Sequence, residues 1–245
     1  MPFVDAAGLP LDRVPLLYRG VRLFQVEQGF GWIDPRDDSL TLIPAHDVTR
    51  PATDPHNATD LASVPAFLWG LVASYGHQTL PAILHDHLSD LADEAPPTTR
   101  VAVRRAADDA FRVALRESGV TRLRSETMWA TVSVQRYLRF RPALGALLVT
   151  QLALGAFAIV ASVVLAALGH PLALLVMLAP AVLALPWNRN ADVVVAASYL
   201  GALYAPLIVS AALSSGIEYL IALVAFVLGG RRGAAPRPGP TLRRD

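Results

Sequence analysis

The chain has 245 residues, a formal net charge of +1 and no cysteine. That charge leaves no electrostatic footprint for nucleic acid, and the missing thiols exclude a disulfide framework and thiolate chemistry. Hydrophobic residues make up 53% and charged ones 17%, and the apolar excess is uneven: residues 1–141 hold 15 of the 21 basic and 17 of the 20 acidic groups. The chain therefore divides into a polar N-terminal half and a membrane-like half at 142–230. The opening stretch "MPFVDAAGLPLDRVP" has no basic region followed by an apolar core, so no signal peptide is expected.

In chain order, "PLLYRG", "VRLFQVEQ", "FGWID" and "SLTLIP" within residues 14–44 read as short strands. Turn signals at 29–31 and at Asp37–Asp38 separate them, giving a small antiparallel sheet or a pair of hairpins. Residues 44–58, "PAHDVTRPATDPHNA", are proline-rich and polar and read as a loop that delivers the chain to Thr59 and Asp60. A short helical segment from Pro65, a helix over about 78–92 and a longer one from Thr98 or Thr99 to Gly119 follow. Val103, Ala107, Ala110, Phe111 and Ala114 form the apolar stripe of the longer helix. A further pattern, "RLRSETMWATVSVQRYLRF", leads to the membrane half and can run on into its first span.

Four apolar segments follow, at about 142–168, 171–187, about 192–213 and about 215–230; the last boundary is weak, with Glu218 near a membrane end, so three spans with one broken helix stay open. At about 1.5 Å per residue, a span of some 30 Å of hydrocarbon needs about 20 residues. Arg136, Arg139, Arg141, Arg189, Arg231, Arg232 and Arg237 fall on one side of four spans. The positive-inside pattern then places both termini in the cytoplasm, in a multi-pass protein of the bacterial cytoplasmic membrane. The expected architecture is a small α+β domain at 1–141, an all-α polytopic region at 142–230 and a basic disordered tail at 231–245. Its first partner is the lipid bilayer.

Chemistry concentrates in two stretches, "TDLASVP" at 59–65 and "LHD" at 84–86, with "RRAADDAF" at 104–111. Adjacent helical residues point about 100° apart, so His85 and Asp86 do not bond each other. Asp108, on the following helix, can accept a hydrogen bond from an imidazole. Asp60, on its loop, can supply a second carboxylate. A histidine base oriented by a carboxylate beside a cation held by two more makes a coherent hydrolytic site. Taken singly, each residue has a plainer reading: His85 as a satisfied core histidine, Asp60 as a turn or cap, Ser63 as a helix cap. Asp109 reads as a solvated neighbour of Asp108, Arg104 and Arg105 as surface pairs of little energy, and His77 and His87 as surface residues.

These three blocks resemble the domain of unknown function 1353, a family found in phage, prophage and bacterial proteins, over about residues 15–138. The approach loop at 44–58 is longer than usual there, and Leu88 and Ser89 stand where an aromatic follows the His-Asp pair. More distantly, the blocks resemble bacterial secreted phospholipase A₂, whose disulfides this chain lacks. That resemblance implies His85 as general base, Asp108 as its orienting carboxylate, and Asp60, the Leu61 carbonyl and Asp86 as ligands of Ca²⁺ or another divalent cation. It implies a phospholipid substrate, and a metal-dependent lipid or ester hydrolase. Two other classes stay open: a non-catalytic membrane-tethered interaction or assembly module, and a metal phosphohydrolase using His77, His85, Asp86 and Asp108 or Asp109.

Overall fold

The computed structural model describes residues 2–20, 23–61, 76–230 and 235. Ser63, the segment from Pro65, and Arg231, Arg232, Arg237 and nearly all of the tail lie outside them. Five short strands open the chain: β1 (Phe3–Val4), β2 (Leu16–Tyr18), β3 (Phe24–Val26), β4 (Phe30–Ile33) and β5 (Leu40–Ile43). All pair antiparallel. β2 and β3 form one hairpin, and β4 and β5 form another, with Phe30 opposite Ile43 and Ile33 opposite Leu40. β1 adds to the free edge of β4; two residues are too few to show alternation in the sequence. Asp38 takes a left-handed φ of 58° in the tight turn between β4 and β5.

The loop after β5 is organised by two buried side-chain amides. Gln25 Nε2 lies 3.1, 3.2 and 3.1 Å from the carbonyls of Asp47, Arg50 and Asn57. Asn57 accepts from the Asp47 N–H at 2.9 Å and donates to the Asp47 and Pro51 carbonyls. Thr59 then exchanges both backbone hydrogen bonds with Phe24. The loop is largely exposed, and the buried Gln25 amide pins three of its carbonyls where no strand ladder does so.

Among the described residues, three helices follow: α1 (Thr79–Glu94), α2 (Arg100–Glu117) and α3 (Arg122–Phe140). Thr99 stands at the α2 N-cap, as expected, but makes no side-chain capping bond. Gly119, at φ 79°, ends the run after it. Ala107, Ala110, Phe111 and Ala114 are buried; Val103 falls outside the stripe and is exposed. Phe3, Val26, Phe30, Trp32 and Ile43 from the sheet pack against Ile83, Leu84, Ala110 and Ala114 from α1 and α2.

α3 does not continue into the next helix. The chain turns at Arg141, where Pro142 disfavours helical geometry in the residue before it, and α4 (Pro142–Ala167) folds back along α3. The return from α4 runs through two 3₁₀ stretches, Pro171–Leu178 and Leu185–Asn190, around a short α5 (Ala179–Ala184). α6 (Ala191–Leu228) is one helix of 38 residues. The boundary expected near residues 213–215 is absent: the helix passes unbroken through Ser214, Ser215 and Gly216. Among the described residues, two runs are long and apolar enough to cross a membrane, Pro142–Ala167 and Pro171–Leu228, with mean hydropathies of 2.3 and 2.0 in their most apolar windows.

The α3–α4 turn depends on Gly145. A Cβ there would lie 2.8 Å from the Leu138 N and Cα atoms, backbone that cannot step aside. Gly145→Ala should cost about 1–3 kcal/mol, the range for overpacking. A lowered thermal midpoint of the detergent-solubilised chain would bear this out, and an unchanged midpoint would contradict the contact.

Candidate functional site

His85 and Asp86 sit side by side in α1 and face different surroundings. His85 is 6% exposed and points at α2, where Nε2 lies 2.9 Å from Asp108 Oδ1. Its ring lies against Phe111, with centroids 4.7 Å apart. Asp108 has no exposed surface. Its other oxygen accepts from Arg136 Nη1 of α3, and Arg104 Nε lies 3.4 Å from Oδ1, an ion-pair contact without hydrogen-bond geometry. Arg104 and Arg136 are both buried. The structure thus corrects the reading of Arg104 as a surface pair: the i, i+4 spacing is right, but the pair lies inside. Burial lowers the His85 pKa more than the Asp108 carboxylate raises it. The imidazole is therefore held neutral, with Nε2–H donating to Asp108.

Asp86 turns away from this cluster. Thr59 Oγ1 accepts from the Leu61 N–H at 3.0 Å and donates to Asp86 Oδ2. Leu61 takes a left-handed φ of 61°, which lets its amide fold back onto the threonine. Burial, and next the neighbouring Asp60 carboxylate, push the Asp86 pKa well above the ordinary carboxylate value; the Thr59 bond opposes them. Asp60 itself is exposed. Asp60 and the Thr59–Leu61 turn therefore lie on the Asp86 side of α1, whereas His85 and Asp108 belong to a separate, buried group.

Asp86 lines a cleft of about 320 Å³ between α1 and the 44–59 loop. Asp90 and Glu94 follow it at four-residue intervals, so all three carboxylates line the same cleft. Three histidines join them. His46 Nδ1 accepts the Val26 N–H at 2.8 Å, so its neutral ring carries the proton on Nε2. Burial lowers the pKa of both His46 and His87. His56 Nδ1 meets Asp90 Oδ1 at 2.8 Å, a contact that raises the pKa of His56. Sequence reasoning passed over His46, His56, Asp90 and Glu94 and placed His87 on the surface. The available signal was the Asp86, Asp90, Glu94 spacing along one helix face.

Among the described residues, no three His, Asp or Glu side chains are arranged to hold a metal ion. Asp60, Asp86 and one main-chain carbonyl would leave a Ca²⁺ ion, which takes six to eight oxygens, most of its water shell. The phosphohydrolase set is dispersed: His77 is exposed, its Nδ1 2.9 Å from the Ser118 carbonyl, and His85 and Asp86 face apart. Asp109 is not merely solvated; its Oδ1 accepts from Trp129 Nε1 at 3.3 Å.

The two shifted groups have opposite linkage. The native pKa of Asp86 is raised above 3.8. Its protonated form supports the fold below that value, and the support is lost as pH rises through the native pKa. Asp86→Asn should therefore be more stable than the parent at pH 7. The native pKa of His85 is lowered below 6.5. Its contribution is present above 6.5 and lost as pH falls through the native value, so His85→Gln should flatten the acid limb of stability against pH. Denaturation from pH 4 to 8 checks both; a destabilised Asp86→Asn variant at pH 7 would contradict the first.

No curated protein and no solved structure gave a match to the chain. Residues 53–132 match a family model, described as Protein of unknown function (DUF1353). The match is narrower than the resemblance over 15–138, running from the end of the 44–59 loop through α1 and α2 into α3. It contains Thr59, Asp60, His85, Asp86 and Asp108, and over this segment, about a third of the chain, the sequence is similar to the DUF1353 family.

Proposed function

We propose that the protein is a membrane-tethered binding module whose N-terminal domain uses the Asp86 cleft to hold a cationic group. One observation carries this reading: the cleft is lined by Asp86, Asp90 and Glu94, whereas His85 and Asp108 lie in the protein interior. Arg50, the one arginine on the cleft wall, pairs with Asp54 at 2.8 Å. The His46 and His87 rings are held neutral; setting Asp86 aside, Asp47, Asp90 and Glu94 on the cleft wall outnumber its two cationic side chains, Arg50 and His56. Its volume lies at the lower end of small-ligand sites. The apolar helices of the second half support a place in the bacterial cytoplasmic membrane, with lipid as the tether's partner.

A second reading is favoured by the His85–Asp108 contact alone. A neutral imidazole whose Nε2–H is held by a carboxylate leaves Nδ1 as the basic nitrogen. That is the orientation implied for His85 by the phospholipase A₂ resemblance, with Asp60 and Asp86 near a divalent cation and a phospholipid ester as substrate.

One set of assays separates the readings. The full chain in detergent is titrated with Ca²⁺, Mn²⁺ and spermidine, and assayed for ester hydrolysis on phosphatidylglycerol–phosphatidylethanolamine vesicles. The binding reading expects at least one titrant to bind, with affinity reduced about tenfold or more in Asp90→Asn, and no hydrolysis. Hydrolysis abolished by His85→Gln in a folded variant would favour the enzyme. No binding by any titrant would sink the cationic-ligand reading.

A further inference from the structure

α4 and α6 run parallel, and the stretch between them runs back. Leu148 packs with Val194. A Cβ on Gly155 would touch Ser198, and one on Gly201 would touch Ala156 at 3.6 Å. Along the return, Gln151 Nε2 donates to the Leu183 carbonyl at 2.8 Å, Trp187 Nε1 donates to Gln151 Oε1, and Tyr199 Oη donates to the Met177 carbonyl at 2.5 Å. α4 and residues 171–190 are therefore a hairpin that leaves and returns on one side. Whatever depth it reaches, it does not change the side from which α6 starts.

The first half of α6 is held by the N-terminal helices. Val193 packs with Trp129 and Ala130. Tyr204 packs with Ala82, Phe111 and Leu115, and its hydroxyl lies 3.2 Å from Thr127 Oγ1. Arg112 reaches Asp192 at 3.9 Å, and Arg105 donates to the Arg189 carbonyl. Those charged neighbours keep this half out of hydrocarbon. From residue 205 to 228 no side chain is buried. Pro206–Leu228 measures about 35 Å at 1.5 Å per residue, against about 30 Å of bilayer hydrocarbon.

We propose that Pro206–Leu228 is inserted in the bilayer as an unreturned passage of α6, which leaves the residues after Leu228 on the membrane face opposite the N-terminal domain. This rests on the membrane reading above and deepens it. The occupant of the bare half-helix is lipid hydrocarbon. Twelve Leu, Ile, Val and Phe residues in this stretch outweigh Glu218, its one ionisable acid, on insertion scales. Arginines flank the passage on both sides, Arg189 before and Arg231 and Arg232 after, so the positive-inside rule alone does not choose the direction.

The chain has no cysteine, so single-cysteine labelling reads the geometry directly. Asp38→Cys, Ser214→Cys and Ala235→Cys variants of the full chain are treated with a membrane-impermeant maleimide in intact cells and in inverted vesicles. The expected result is Asp38→Cys and Ala235→Cys labelled from opposite faces and Ser214→Cys from neither. Asp38→Cys and Ala235→Cys labelled from the same face, with Ser214→Cys labelled from the other, would overturn the proposal: α6 would then fold back at Ser214–Gly216 to give two passages. Release of the parent chain from membranes by alkaline carbonate would instead remove the membrane reading itself.

Discussion

The carboxylate of Asp108 is the constraint on which the N-terminal domain turns. A fully buried anion is tolerated only with compensating charge and hydrogen bonds. Here they arrive from three helices: His85 from α1, Arg104 one turn earlier on α2, and Arg136 from α3. His85 and Arg136 tie α1 and α3 to α2, because removing either takes a partner from the buried carboxylate. The arrangement explains why a domain with only short strands holds three helices in defined register.

The same pairing sets the directions of the two motif residues. With His85 drawn inward to Asp108, its neighbour Asp86 must face about 100° away, towards the 44–59 loop. Gln25 and Asn57 hold that loop in place, and Thr59 meets Asp86 across the gap. The buried dyad and the open cleft are thus two outcomes of one helical spacing. Arg136 lies one turn before the end of α3, so the domain's ionic centre is also coupled to the helices that follow. Tyr137 continues the link, packing edge-on against Trp187 at 5.5 Å.

Much of this was legible in the sequence because the signals were local. Turn signals separated the short strands, Thr99 and Gly119 bracketed α2, and the spacing of the motif blocks singled out Asp60, His85, Asp86 and Asp108. What stayed hidden depended on distant partners. Arg136 reads as one more juxtamembrane arginine until α3 is folded against α2. Arg104 reads as a surface pair until Asp108 is buried. The cleft histidines His46 and His56 sit in a loop whose shape is dictated by Gln25, some twenty to thirty residues earlier. The end expected at 213–215 rested on two serines and a glycine, residues of modest helix propensity, and α6 runs straight through them.

Asp108 acts as a structural counter-charge shared among three helices. A double-mutant cycle with Asp108→Ala and Arg136→Ala, read by chemical denaturation of the full chain, tests it most directly. Single losses of about 3–5 kcal/mol and a coupling of about 2 kcal/mol or more are expected, with the double variant less damaged than the sum. Additive losses with negligible coupling would contradict it and return Asp108 to the role of an orienting carboxylate for His85 alone.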